Sequence, residues 1–328
     1  MLNVAIEGLG RWGTRLVESV QGSPALRFVA GITGRPEAHA DFARRFGLRL
    51  LPALQDALTD PGIDALVLAT PHSQHADQIA RAAAAGKHVF VEKPLALRHE
   101  DAERATDACE RAGVTLGVGF NRRWSPAWQE MARRIAAGEI GRLLHLEAAH
   151  SGPSGLQLKP GAWRSDRAEC PLGAMTPRGV HALDAVIGLA GCATSVFAFS
   201  DRRVLTVDLD DTTSLLLRFE GGVTASLSTL HATAEWMRVH AFGSAGWLEM
   251  RGDTELTACA LQGPPRRLEL APVDKERAEL EAFAQAVATG RRFVLPREEL
   301  LNGVAVVDAA LASVTSGRAE AVAARAGR

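Results

Sequence analysis

The chain contains no tyrosine, which excludes every mechanism built on a phenol as acid, base or nucleophile. Its four cysteines are Cys109, Cys170, Cys192 and Cys259, none in a C-x-x-C pair. Their wide spacing argues against a zinc site or a disulfide framework. They read instead as small, mostly buried side chains in a reducing cytoplasm. Neither sign of charge dominates: 37 Lys plus Arg face 38 Asp plus Glu, a formal net charge of -1. No global positive field therefore draws in nucleic acid or an anionic membrane, and neither is expected as a partner. No apolar run approaches the ~20 residues that a bilayer-spanning helix needs. The opening MLNVAIEGLGRWG lacks a basic region ahead of an unbroken apolar stretch, so no signal peptide is expected. A G-x-x-x-x-G-K-[ST] phosphate loop is also missing.

What is present suits two domains. The 328 residues are 47% apolar and 23% charged, ordinary values for a globular chain long enough to build two cores. Over the first ~120 residues short apolar runs alternate with amphipathic stretches. Strands are predicted at 4–10, 27–33, 65–70, 88–93 and 114–120, with helices at 12–21, 36–46, 74–85 and 99–112. Apolar strands alternating with helices point to a doubly wound parallel sheet. Beyond Phe120 the pattern changes. Helices are expected at 125–137 and 179–190, a strand at 143–151, and a Gly-, Pro- and Trp-rich loop from about 152 to 173. Consecutive strands then follow at 195–200, 212–219, 222–230, 238–242 and 247–250, and two helices near 275–289 and 297–315. Gly221-Gly222 between two of these strands signals a hairpin. The expected fold is an α/β N-terminal Rossmann domain over 1–121 and an α+β domain with a largely antiparallel sheet over 122–328. The Ala-rich end, 319–328, is expected to fray.

Gly8-Leu9-Gly10-Arg11-Trp12-Gly13 is a G-x-G-x-x-G between a strand and a helix. The first glycine allows the tight turn, the second lets a pyrophosphate approach the backbone, and the third lets strand and helix pack closely. Gly8, Gly10, Arg11, Trp12 and Gly13 are therefore candidate dinucleotide contacts. Glu7, just before the turn, stands out as a carboxylate that would repel a pyrophosphate. NAD-selective domains usually end the second strand with Asp or Glu to hold the ribose 2′-hydroxyl. Here the strand ends Ile32-Thr33-Gly34-Arg35, without a carboxylate. A hydroxyl and a guanidinium suit a 2′-phosphate, so NADP is the expected cofactor, with NAD as the alternative.

Residues 67–95, VLATPHSQHADQIARAAAAGKHVFVEKPL, carry a T-P-x-x-x-H segment, an Ala-rich helix, G-K-H-V and then Glu92-Lys93-Pro94. With GVGFNRRW (117–124), WRSD (163–166), GVHALD (179–184) and GSAGWLEM (243–250), the chain resembles the glucose–fructose oxidoreductase / inositol dehydrogenase / rhizopine catabolism family (Gfo/Idh/MocA). The resemblance covers nearly the whole chain. It implies two domains with nicotinamide held between them, and hydride transfer at a hydroxyl-bearing carbon of a sugar, polyol or related cyclic alcohol. It makes Lys93 the catalytic lysine and His181 a second acid/base. Thr70, Pro71, His75 and Glu92 become neighbours of the cofactor, and Asn121, Arg122, Trp163, Arg164 and Arg178 candidate substrate contacts. Homodimers or homotetramers through the second domain's sheet are implied as well. Elementary chemistry agrees on Lys93, which ends a strand at the edge where such sheets bind ligands and supplies the proton carrier that alcohol oxidation needs. A cis bond before Pro94 is expected to fix the backbone there.

One departure bears on the substrate. The family's D-x-G-x-H reads Pro177-Arg178-Gly179-Val180-His181. Asp184, one turn past His181, is expected to orient the imidazole instead, and Arg178 to read an anionic group such as a carboxylate. The competing functions are an NAD-dependent glycosidase or lyase without net redox, and a non-catalytic NADPH sensor.

Overall fold

The computed structural model describes residues 1–323, which form two compact units. One comprises Met1–Ala96, Glu100–Asn121 and Asp274–Pro296; the other comprises Leu97–His99, Arg122–Val273 and the chain from Arg297 onward. Of the Ala-rich end expected to fray, Glu320–Ala321 form a short paired strand, and residues 324–328 lie outside the described residues.

The first unit is built on six parallel strands, β1 (Leu2–Glu7), β2 (Leu26–Ile32), β3 (Arg49–Leu51), β4 (Ala65–Leu68), β5 (His88–Glu92) and β6 (Leu116–Gly119). Their spatial order is β3-β2-β1-β4-β5-β6, the arrangement in which the crossovers reverse between β1 and β4. Helices α1 (Arg11–Ser19), α2 (Pro36–Phe46), α3 (Leu54–Thr59), α4 (His75–Ala84) and α5 (His99–Ala112) connect them. All four residues of β4 are buried, because a parallel sheet is covered on both faces. The three-residue β3 and six-residue α3 were not expected, since both are too short to display a hydrophobic period.

The second unit contains α6 (Pro126–Ala136), β7 (Leu143–Ser151), α7 (Gly179–Ala190), β8 (Ala193–Asp201), β9 (Thr212–Phe219), β10 (Thr224–Leu230), β11 (Trp236–Gly243), β12 (Gly246–Arg251), β13 (Glu255–Ala260), β14 (Arg266–Glu269) and, after the two last helices, β15 (Glu320–Ala321). The last helices are α8 (Lys275–Thr289) and α9 (Arg297–Ser316). Nine strands make one sheet, ordered β14-β13-β12-β11-β7-β10-β9-β8-β15. Its pairs are antiparallel except β7 with β10. The Gly221-Gly222 turn closes the hairpin, with Phe219 N–H donating to the Val223 carbonyl. Strand β9 alternates buried and exposed residues, the pattern of an antiparallel sheet with one face covered, and α7 packs on β7, β10 and β11 while α9 packs on β8. Helix α9 is apolar and long enough to cross a bilayer by composition, contrary to the sequence expectation, but it is mostly buried and packs along β8.

The sequence assigned 122–328 to one domain, yet α8 belongs to the first unit. The reason is packing. Its Leu280 and Phe283 are fully buried, and the Phe283 ring meets that of Phe90 on β5 edge-on at 5.6 Å. Gly117 on β6 leaves room for both rings, since a Cβ there would lie 2.9 Å from Phe90 and 3.0 Å from Phe283.

Candidate active site

The carboxyl ends of β1, β2, β4, β5 and β6 gather most of the candidate residues of the first unit. At β1 the Gly8–Gly13 turn leads into α1. Gly8 has φ +96°, and a Cβ on it would lie 2.4 Å from the Ala69 carbonyl oxygen. A Cβ on Gly13 would lie 2.0 Å from the Gly8 oxygen. Both positions are closed to any side chain. Gly10 is different: it is exposed, and a Cβ there would meet nothing within 4 Å. No side chain caps α1, so its first N–H groups face that open space. Two glycines that hold the turn, one that keeps its surface clear, and a bare helix start form a cradle that fits a pyrophosphate. Arg11 is exposed beside it and Trp12 half-buried.

Glu7 is less opposed to an anion than its type suggests. One carboxylate oxygen is buried without a hydrogen bond. Burial raises the carboxyl above its ordinary value, with Arg81 pulling the other way, so it ionises less readily than an exposed carboxyl and opposes a phosphate less. At the end of β2, the Thr33 hydroxyl accepts from the Arg35 N–H at 3.1 Å. Gly34 and Arg35 are exposed, and among the described residues Arg35 forms no ion pair.

Lys93 follows β5, half-buried, with a cis bond to Pro94. The segment after β4 is tied to this point. His75 is fully buried, with Nδ1 2.8 Å from the Pro94 carbonyl and Nε2 3.2 Å from that of Thr70. The Thr70 hydroxyl donates to Gln78 Oε1 at 2.7 Å. His75 and Thr70, expected beside the cofactor, are thus engaged inside the protein and brace the Lys93-Pro94 corner. Pro71 is half-buried ahead of a short turn, His72–Gln74.

Glu92 is buried too, and three further groups surround it. Burial pushes its carboxyl up to about 7, the Lys93 ammonium pulls it down, and Glu276 raises it further. The Trp12 indole N–H lies near, yet neither that nitrogen nor Glu92 Oε1 completes a hydrogen bond. Glu276 on α8 accepts from Asn121 Nδ2 at 2.8 Å and from Arg15 at 3.0 Å. Asn121, a candidate substrate contact, therefore commits its amide nitrogen to α8.

In the second unit, His181 lies buried in the first turn of α7. Its ring is 5.6 Å from that of His150, the penultimate residue of β7, whose Nδ1 lies 3.0 Å from the Arg178 carbonyl. Asp184 does not orient His181. It takes a bidentate pair from Arg123 at 2.7 and 2.9 Å, and Arg123 also reaches Glu299 at 2.6 Å. This buried ion network anchors α7 at its middle, and Gly188 makes the space, since a Cβ there would lie 2.1 Å from the guanidinium. Arg178 is likewise spent internally, bonding Glu235 at 2.7 Å, the Ser151 carbonyl at 3.2 Å and Ser154 at 3.1 Å. That occupation removes the guanidinium on which an acidic substrate was expected. Arg122 bonds Asp253 at 2.6 Å, and Arg164 stacks on Trp163 at 4.1 Å.

Comparison with known proteins decides the family. The family model described as oxidoreductase family, NAD-binding Rossmann fold, matches residues 2–120, and the GFO/IDH/MocA C-terminal domain matches 128–249. The protein belongs to the Gfo/Idh/MocA family. It is thus an NAD(P)-dependent oxidoreductase of the dehydrogenase and reductase class. The chain is 41% identical over 146 residues to the scyllo-inositol 2-dehydrogenase (NAD(+)) of Bacillus subtilis (strain 168), an overlap of 43% of this chain and 42% of that relative. It is 30% identical to D-xylose 1-dehydrogenase (NADP(+)) 2 of Haloferax volcanii, over 88% of this chain and 90% of that one. Among solved structures, aldose-aldose oxidoreductase from Caulobacter crescentus superposes with a TM-score of 0.89 at 27% identity, covering 98% of this chain and 99% of that chain.

Within this Gfo/Idh/MocA protein, sequence reasoning missed Glu276, Arg123, Glu299, Glu235 and His150. Only Arg123 carried a local signal, inside the GVGFNRRW motif. The others reach their partners across large sequence separations that no periodicity encodes.

Proposed function

We propose that this protein is an NADP(H)-dependent dehydrogenase or reductase acting on a hydroxyl-bearing carbon of a sugar, polyol or related cyclic alcohol. The observation that carries the reading is the half-buried Lys93 at the carboxyl end of β5, on the sheet edge that also holds the Gly8–Gly13 cradle. The Gly8–Gly13 cradle would hold the pyrophosphate of a nicotinamide dinucleotide, which would supply the hydride acceptor or donor. Lys93 takes the hydroxyl proton as the carbon is oxidised and returns it in the reverse direction. His181 is the second acid/base. Thr33 and Arg35 hold the 2′-phosphate, with no carboxylate at the end of β2 to repel it. The two named relatives use different cofactors, so the choice rests on such local residues. Sugars and polyols are the substrate class because those relatives are named for an inositol and a pentose.

The test is a panel of sugars, polyols and hydroxy acids offered with NADP+ and NAD+, read as cofactor reduction. Reduction in proportion to product, faster with NADP+, is expected. Product formed without net cofactor reduction would favour the glycosidase or lyase cycle instead.

Self-association accompanies this reading. The uncovered face of the nine-stranded sheet exposes Phe199 (63%), Leu216 (58%) and Trp236 (45%), apolar side chains that a homodimer or homotetramer would cover. Light scattering that gives a monomer across micromolar concentrations would refute it.

A further inference from the structure

Glu279 on α8 is fully buried, and neither of its carboxylate oxygens makes a hydrogen bond. Such a group is costly, because water no longer solvates it and no protein donor replaces the water. An apolar side chain would serve α8 better at this position if packing were all that mattered. Its surroundings suggest another use. Glu92, one residue before Lys93, raises the proton affinity of Glu279, as does Glu276, while Lys275 lowers it. Glu92 Oε1 is buried and unpartnered as well. The Glu92 carboxyl lies over the β6 backbone at Gly119, where a Cβ would come within 2.8 Å of it. Glu276, on the same helix, is held by Arg15 and Asn121. Two neighbouring carboxyls in a dry site do not both ionise readily, and they titrate as a pair. The Lys93 ammonium beside Glu92 opposes the rise in its proton affinity.

We propose that Glu92 and Glu279 are an electrostatically coupled pair of buried carboxyls behind Lys93 whose negative charge sets the pH range in which Lys93 exchanges its proton. Both are positioning residues: they act through Lys93 and touch no substrate. The inference rests on the reading of Lys93 as the acid/base. The charges involved are Glu92 at the end of β5 and Lys93 just after it, Glu276, Glu279 and Lys275 on α8, and Arg15 on α1. When Glu279 is made permanently neutral, Glu92 loses its competitor, ionises more readily and stabilises the ammonium. When Glu92 is made neutral, the ammonium loses its nearest anion. The two isosteric substitutions therefore push Lys93 in opposite directions.

The experiment follows the pH dependence of Lys93 acylation by an amine-directed reagent in the cofactor-free protein, read by mass spectrometry, beside the pH profile of kcat/KM. Glu279→Gln is expected to move both curves to higher pH, and Glu92→Gln to lower pH, each by on the order of one unit. A purely structural role would leave the curves in place whatever the yield of folded protein. Curves that superpose on the unsubstituted protein, or that shift in the same direction, would overturn the proposal. Should one variant not fold, the direction given by the other decides. The outcome is separable from the acid/base reading itself: a Lys93→Met enzyme that retains its kcat would refute that reading, while the labelling curves would still report the pair.

Discussion

The two sheets solve the burial problem in opposite ways, and the difference shows where each unit has room for chemistry. In the six-stranded sheet, β4 is buried at every position, since helices cover both faces. Nothing on those faces is left to meet a ligand, so its chemistry lies along the strand ends, where Gly10, Arg35 and Lys93 reach the surface or near it. In the nine-stranded sheet, β9 alternates strictly, and Leu216 stands 58% exposed while Leu215 and Leu217 are buried. There the open resource is a face, suited to another protein surface. The contrast extends to pH. In the first unit burial raises Glu92 to about 7, whereas in the second burial lowers His231 to about 4, the Arg178 charge adding to it and Asp211 opposing.

The largest expected effect tests whether the edge of the parallel sheet carries the reaction. Lys93→Met should lower kcat at least ~100-fold, within the range for general acid–base catalysis. Binding of NADPH, followed by fluorescence, should change little. A near-normal kcat would move the proton elsewhere.

Next comes cofactor choice at the end of β2. Charge-assisted contacts contribute roughly 1.5–3 kcal/mol, so Arg35→Ala should weaken NADP(H) by on the order of tenfold to a hundredfold and spare NAD(H). Equal losses in titrations with both cofactors would show that Arg35 does not read the 2′-phosphate.

A stability measurement sharpens the pH contrast in the first unit. Glu279→Leu removes a buried carboxyl with no hydrogen bond and should stabilise by about 1–3 kcal/mol, measured by denaturant unfolding near pH 8. A folded-state value raised above the unfolded one stabilises fully below the unfolded value and loses that contribution as pH rises through the folded one. The gain from Glu279→Leu should therefore shrink towards pH 4. A gain that is constant with pH would mean that the carboxyl is not the cause.

The smallest effect belongs to the second unit and has the opposite sign. His231 is 3% exposed, its Nε2 3.0 Å from Ser154 Oγ. Its folded value lies below the ordinary 6.5, so its stabilisation is complete above that value and is lost as pH falls towards about 4. His231→Gln should flatten the acid side of the stability profile over that window, and an unchanged slope would count against it.

Much of this was legible in the sequence because it is local. The helices over 36–46, 99–112, 179–190 and 275–289 and the strands over 143–151 and 212–219 were read at their observed bounds, since each displays its period over enough residues to be counted. The Gly8–Gly13 turn is readable because tight turns and close packing admit only glycine at defined offsets. The very short β3, α3 and β15 were missed for want of length, and β13 and β14 were missed as well. Asp184 was misread because a helical neighbour at i+3 looked like the obvious partner for His181, whereas Arg123, 61 residues away, reaches the carboxylate with two hydrogen bonds.

The sequence by itself determined that a dinucleotide-type turn precedes a lysine at a strand end, and that an alternating antiparallel sheet follows. Those features depend on residue type and short spacing alone. Only the tertiary structure decided that α8 returns to the first sheet and sets Glu276 and Glu279 beside Glu92. It also decided that Arg178 is neutralised by Glu235 and that Thr70 and His75 brace a corner. Each of these rests on which distant segments share a dry interior, where an unmatched charge or an empty volume is costly, and no local pattern in the chain records that pairing.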